Sequence, residues 1–358
     1  MSQETMNYAA DCIIQTENLC KQYGEVAAVH NLNLSIRRGE VFGLLGPNGA
    51  GKTTTTLMLL GLTDPTSGHA WIDGMDCTRD SLAIKKEVGY LPDSVGFYGD
   101  MTGMENLVFS GMMNGLSREE SKARAKMLLE RVGMTYAASR KAGTYSRGMR
   151  QRLGIADVLM KDPKIIIMDE PTLGIDPEGM RELTTLIREL SVKDGRTLLI
   201  SSHDLYQIQK ISDRVGIFVK GSMIACGRIE ELGKQLENEG LFMLDIRAER
   251  EDGAADADGA LSQLLRGIAG IRLVGKREDG SLHIESNRDI RRELLELLSA
   301  KHYVLQEMHQ RGGDLDEIYR KYFEKGEDAY DSVKGSASEN GESSGIKGRL
   351  QKLLHRAS

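Results

Sequence analysis

Gly46-Pro47-Asn48-Gly49-Ala50-Gly51-Lys52-Thr53-Thr54 is a glycine-rich stretch between an apolar run at 41–45 and a helical stretch at 53–60. Its spacing is G-x-x-x-x-G-K-[ST], in the strand–loop–helix context that a phosphate-binding loop requires. Glycines let the backbone turn tightly enough for successive N–H groups to point into one concavity at the positive end of a helix. In such a loop Lys52 neutralises β- and γ-phosphates, and the Thr53 hydroxyl ligates Mg²⁺. A plain glycine-rich turn is the alternative, disfavoured by the strand before it and the helix after it.

A second stretch supplies what a phosphate cradle lacks. Ile165-Ile166-Ile167-Met168-Asp169-Glu170 is a short apolar run ended by two acids. It suits a buried parallel strand whose carboxyl end lies where open α/β sheets bind ligands. Asp169 is expected to hold Mg²⁺ through water, and Glu170 to polarise the attacking water. The blander alternative is a strand that ends in a solvated turn helped by Pro171, and it weakens beside a phosphate loop.

Working outward, apolar runs at 12–16, 32–36 and 41–45 read as strands, with turn signals at Tyr23-Gly24 and Arg38-Gly39. Residues 100–133 read as mostly helical, with Thr102 as one cap and Ser117-Arg118-Glu119-Glu120 as a capping box. Helices at 178–190 and 204–211 flank a strand at 197–201, an alternation that argues for an α/β sheet. The character changes near 235–241. Beyond it come a strand at 241–246, an acidic loop at 251–259, a helix near 260–267 and a hairpin of 271–274 with 282–284, joined by Glu278-Asp279-Gly280. A helix capped by Asn287 and a last strand at 303–308 complete the order β-α-β-β-α-β, which a ferredoxin-like split unit produces. The reading is therefore a phosphate-loop α/β domain at 1–238 with a helical part at about 94–160, a small α+β domain at 239–325, and a disordered tail at 326–358.

Composition bounds the function. The chain has 358 residues with 47 Lys plus Arg against 53 Asp plus Glu, a net charge of −6. That balance gives no reason to expect a broad nucleic-acid-binding surface. With 40% hydrophobic and 28% charged residues, wholesale disorder is excluded. Cys12, Cys20, Cys77 and Cys226 lie far apart, signalling neither a zinc site nor a disulfide framework and fitting a reduced, cytosolic setting. The polar start at 1–11 is no signal peptide, and no run of apolar residues reaches membrane-spanning length.

With the two stretches above, further motifs complete a resemblance to the nucleotide-binding subunits of ABC transporters, covering roughly residues 12–235. Tyr145-Ser146-Arg147-Gly148-Met149-Arg150-Gln151-Arg152 resembles the signature motif, Gly174-Ile175-Asp176-Pro177 the D-loop, and Ser201-Ser202-His203 the switch region. Among the subfamilies, the half-size bacterial ATPases of ABC-2-type exporters are the most similar. The resemblance implies a P-loop NTPase fold of ABC type, ATP and Mg²⁺ as cofactors, and a head-to-tail homodimer or heterodimer with two shared sites. It also implies a separate permease that holds the protein at the cytoplasmic face of the cell membrane. Tyr23 stands where an aromatic stacks on adenine. Ser146 and Gly148 would meet the γ-phosphate held by the other copy's loop, and His203 would hold Glu170 and the water in line.

Two positions depart from the family. Tyr90-Leu91-Pro92-Asp93 stands where Gln is common, so Asp93 would take the Mg²⁺ role with a carboxylate. Arg147 replaces the signature's second glycine, and the sequence leaves open whether it binds phosphate or faces solvent. Val95-Gly96-Phe97-Tyr98 with Met101, Met104, Met112 and Met113 reads either as a docking surface for the permease or as core packing. The basic tail at 346–358 reads as a solvated tail, with membrane-surface binding as the alternative. A soluble ABC ATPase acting on ribosomes or DNA is the competing class, but one cassette without inserted heptads or zinc spacing argues against it. Residues 240–325 show no catalytic or metal cluster by spacing, which leaves a dimer-supporting role.

Overall fold

The computed structural model describes residues 11–238, 242–252, 259–277, 280–311 and 318–323. The polar start at 1–10, most of the acidic loop, the Glu278-Asp279 pair and the tail at 326–358 lie outside the described residues. The chain divides into two compact units, one running up to Cys226 and one starting at Gly227. Residues 227–238, which the expected boundary at 238 assigned to the first domain, fall in the second unit.

In the first unit, strands β1 (Cys12–Tyr23) and β2 (Val26–Arg37) form a hairpin around Gly24, whose φ of +56° suits glycine. Both run longer than their apolar cores suggest. β3 (Val41–Leu45) follows, buried throughout, and leads through the phosphate loop into α1 (Lys52–Leu59). β4 (Ser67–Ile72), β5 (Met75–Asp76), α2 (Ser81–Glu87) and β6 (Val88–Leu91) come next, none of them marked in the sequence by a clear period. β1, β2, β4 and β5 make a four-stranded sheet whose order is β2-β1-β4-β5. Its apolar face, with Ile14, Leu19, Leu34 and Ile36, joins Phe42, Leu44, Ile165 and Ile167 in one core.

Helices α3 (Gly103–Met113), α4 (Arg118–Arg131) and α5 (Arg147–Leu159) form the helical part. Ser117 and Glu120 make the reciprocal capping box that the sequence spacing predicts, and Thr102, expected only as a cap, makes a second box with Glu105. β7 (Ile165–Asp169), α6 (Pro177–Val192), β8 (Thr197–Ser202), α7 (Leu205–Ile211), β9 (Arg214–Val219) and β10 (Ser222–Gly227) complete the unit. The central sheet has the order β10-β9-β3-β8-β7-β6, with β9 through β6 paired in parallel. Register decides the site: Leu45 lies beside Ser202, Asp169 beside Ser201, and Leu91 beside Met168. The phosphate loop, the two acids, the switch serines and Asp93 therefore emerge together at the carboxyl ends of the parallel strands.

The second unit contains α8 (Ile229–Asn238), β11 (Phe242–Arg250), α9 (Ala260–Arg266), β12 (Ile271–Lys276), β13 (Leu282–Ser286), α10 (Arg291–Ala300) and β14 (Tyr303–Arg311). The sheet order β12-β13-β11-β14 is that of a ferredoxin-like split unit. Leu244, Ile246, Leu282 and Ile284 face Leu261, Leu265, Leu294 and Leu298 from the two helices. Alternate residues reach the other face. There His283 Nδ1 stands 2.7 Å from Asp245, and Lys321 pairs with Glu285 at 2.9 Å. Linear spacing hid this ionic cluster, although no metal-binding group of three appears among the described residues. Asn287 does not cap α10. The helix begins at Arg291, whose backbone N–H donates to Asp289 instead, because the strand continues through Ser286 and needs four residues to turn. Among the described residues no helix is long and apolar enough to cross a membrane.

Candidate active site

Two glycines make the phosphate loop possible. Gly51 precedes α1 at a φ of +108°, and a methyl group there would stand 2.3 Å from the Ala28 carbonyl oxygen. One on Gly46 would stand 2.6 Å from the Phe218 carbonyl oxygen. The loop is thus pressed against the strands beneath it. Two of its N–H groups are already engaged, that of Gly46 with the Ser202 carbonyl at 3.3 Å and that of Ala50 with the Pro47 carbonyl at 3.2 Å. Lys52 is only 5% exposed. Its Nζ donates to the carbonyls of Gly46 at 2.6 Å and Pro47 at 3.2 Å and lies 3.6 Å from Glu170 Oε1. Burial holds the Lys52 pKa below its ordinary 10.5, opposed by the charges of Glu170 and Asp169.

The acids are held by serines from the neighbouring strand. Asp169 accepts from Thr53 Oγ1 at 2.9 Å with one oxygen and from Ser201 Oγ with the other. Glu170 accepts from Ser202 Oγ at 3.2 Å, and His203 Nδ1 stands 2.9 Å from its other oxygen. The Glu170 backbone has a φ of +47°, a left-handed conformation uncommon for residues other than glycine, which turns the side chain off the strand line toward the loop. Its N–H donates to the Ser201 carbonyl at 2.9 Å, holding that turn. The positions of Ser201 and Ser202 were visible in the sequence but not their hydroxyls' targets, which depend on the register of β7 against β8. Tyr90 was missed as well. Its phenol is pushed up to about 12 by burial, then by Asp169 and Asp93.

Pro47 through Thr54, Asp93, Asp169, Glu170 and His203 line one cavity of about 320 Å³, joined by Ala28 and Leu173. Gly46 lies beneath it. Tyr23 is not in the lining: it ends β1, 50% exposed, with Lys21 Nζ 5.0 Å from its ring centre. Ser146 and Gly148 line a different cleft of about 660 Å³, which also includes Arg152, Asp176 and Glu182. Ser146 is a true N-cap, accepting from the Met149 N–H at 3.3 Å. The methionine region is not core: Tyr98 is 59% exposed and Met113 71%, beside an apolar cleft lined by Met101, Met104, Val108, Phe109 and Met112.

A family profile described as ABC transporter matches residues 29–173. The linearmycin resistance ATP-binding protein LnrL of Bacillus subtilis is 38% identical over 234 residues, covering 65% of this chain and 75% of that protein. The chain belongs to the ABC transporter ATP-binding family. The bacitracin transport ATP-binding protein BcrA of Enterococcus faecalis is 40% identical over 223 residues, covering 62% of this chain and 71% of that protein. Among solved structures, the dimeric post-hydrolysis state of the cassette MJ0796 bound to ADP and Pi superposes with a TM-score of 0.56. It is 26% identical and covers 60% of this chain and 98% of its own. The cbiO1 cassette of Clostridium perfringens gives a TM-score of 0.58 at 27% identity, covering 64% of this chain and 95% of that one. This ABC ATPase is accordingly an ATP-binding, ATP-hydrolysing motor subunit of a transporter.

Proposed function

We propose that two copies of such subunits close head to tail on ATP, each phosphate loop facing the other copy's signature motif, and that hydrolysis lets them part. The observation that carries this reading is the separation of the two clefts. Ser146 and Gly148, the signature residues, lie outside the cavity built by the phosphate loop of their own chain. A second copy can bring them to it.

Within the cavity, Lys52 and the loop N–H groups bind the β- and γ-phosphates. Glu170 takes the proton side of the attacking water, and His203, 2.9 Å away, holds the Glu170 carboxylate in place. Ser202 fixes the other oxygen. Thr53, Asp169 and Asp93 offer only oxygen donors and only two carboxylates. That suits Mg²⁺, which binds through few protein ligands and the substrate's phosphates. When bound, the ion would neutralise charge on the phosphates. Tyr23, at the end of β1, is assigned to the adenine.

The relatives named for bacitracin transport and linearmycin resistance support export as the direction. The partner is then a membrane permease that docks at the exposed methionine and aromatic cleft and holds the protein at the cytoplasmic face; no nucleic acid is involved. The second unit supports the dimer. Sedimentation of the purified protein with MgATP, alone and with its permease, tests the reading. Nucleotide-dependent dimers and phosphate release are expected; neither appearing under both conditions would overturn it.

A further inference from the structure

The segment from Glu170 to Asp176 spans the two clefts of a single chain. At one end Glu170 and Leu173 line the phosphate cavity; at the other Asp176 lines the cleft of Ser146 and Gly148. It is a thin connection. The Leu173 N–H donates to the Glu170 carbonyl at 3.2 Å and the Ile175 N–H to that of Thr172 at 3.4 Å, while Asp176 caps α6 through Gly179. Something must hold its middle, where Gly174 turns through a φ of +69°.

Arg147 lies there. A methyl group on Gly174 would stand 3.1 Å from Arg147 Cδ and 3.3 Å from both Nε and Nη1, so the stem and guanidinium cross the bare face of that glycine. Ile175 adds a second contact. Its Cγ2 is 3.5 Å from the point where Gly148 would carry a methyl group and 2.9 Å from that of Gly179, wedging it between the first turns of α5 and α6. Arg147 is the first residue of α5, where a cation opposes the helix dipole. Among the described residues no carboxylate pairs with it. Packing of its stem, not an ion pair, is what the position supplies.

We infer that Arg147 is a positioning residue that fastens the 170–176 turn to the signature helix, so that the two half-sites of one chain keep a set spacing. The inference deepens the reading of Ser146 and Glu170 given above, but its test on the nucleotide-free protein does not depend on that reading. A chain with glycine at 147 lacks that contact over Gly174 and leaves the turn to its local hydrogen bonds and the Ile175 wedge.

Hydrogen exchange of peptides covering 171–176 is measured on the full-length, nucleotide-free protein for Arg147→Ala and Arg147→Met, with thermal unfolding to confirm an intact fold. Arg147→Ala is expected to speed exchange there by about tenfold. With its permease it should slow phosphate release by about tenfold or more while leaving the KM for ATP within about twofold, since a displaced catalytic group lowers kcat. Arg147→Met, which keeps a straight stem without charge, should restore both. Parent-like exchange in Arg147→Ala overturns the inference. So does a pattern in which both variants raise KM with exchange unchanged, which would assign the guanidinium to a phosphate of the partner copy. The expected exchange pattern without any nucleotide-driven dimer would uphold the fastener and remove the head-to-tail reading.

Discussion

Replacing Glu170 by glutamine tests the chemistry most directly. The side chain keeps its length, so Ser202 Oγ at 3.2 Å and His203 Nδ1 at 2.9 Å retain a partner, while a full negative charge is lost. A positioned general base contributes roughly 10²- to 10⁴-fold. Turnover should therefore fall by about 10²- to 10³-fold, or about 3–4 kcal/mol in barrier. Binding moves the other way. Lys52 Nζ lies 3.6 Å from the Glu170 carboxylate and is almost wholly buried. Without nucleotide it loses a counter-charge, destabilising the fold by about 1–3 kcal/mol. With nucleotide the phosphates take that place and the local repulsion is gone, so ATP binds at least as tightly. Steady-state phosphate release, a fluorescent-nucleotide titration and sedimentation with MgATP give the three readouts. Turnover within about tenfold of the parent, or loss of ATP binding, would refute the assignment of Glu170.

Asp169→Asn removes a charge held between Thr53 and Ser201 and should weaken Mn²⁺ binding with a non-hydrolysable nucleotide by about 10- to 100-fold, read by electron paramagnetic resonance. Raising pH strips the Lys52 proton through a pKa that burial holds below 10.5. Because phosphate binding needs the charged form, nucleotide affinity in a titration from pH 7 upward should fall earlier than for an ordinary lysine; a flat curve through that point contradicts the burial effect. Ile284→Ala, at a fully buried position of β13, should destabilise the second unit by about 2–5 kcal/mol in urea unfolding.

The phosphate loop, the paired acids and the order of the motifs were legible in the linear sequence because each is a local device: glycines fix the loop, an unbroken apolar run fixes a central strand, and two acids stop it. The same locality made the Thr102 cap, the Ser117–Glu120 capping box and the β-α-β-β-α-β order readable. Elements with no such period, β4 to β6, β9 and β10, were not. Nor was the start of α10, where Asp289 rather than Asn287 holds the first turn. Tertiary structure alone decided which hydroxyl meets which acid, since a shift of one residue between β7 and β8 would move Asp169 off Ser201 to face Ile200 or Ser202. It also placed Arg147 on Gly174, a contact between residues distant in sequence that no spacing encodes, and it drew His283, Asp245 and Glu285 onto one sheet face. A linear motif specifies the chemistry its backbone can present, whereas the partners of each side chain follow from how separate strands and helices come into register.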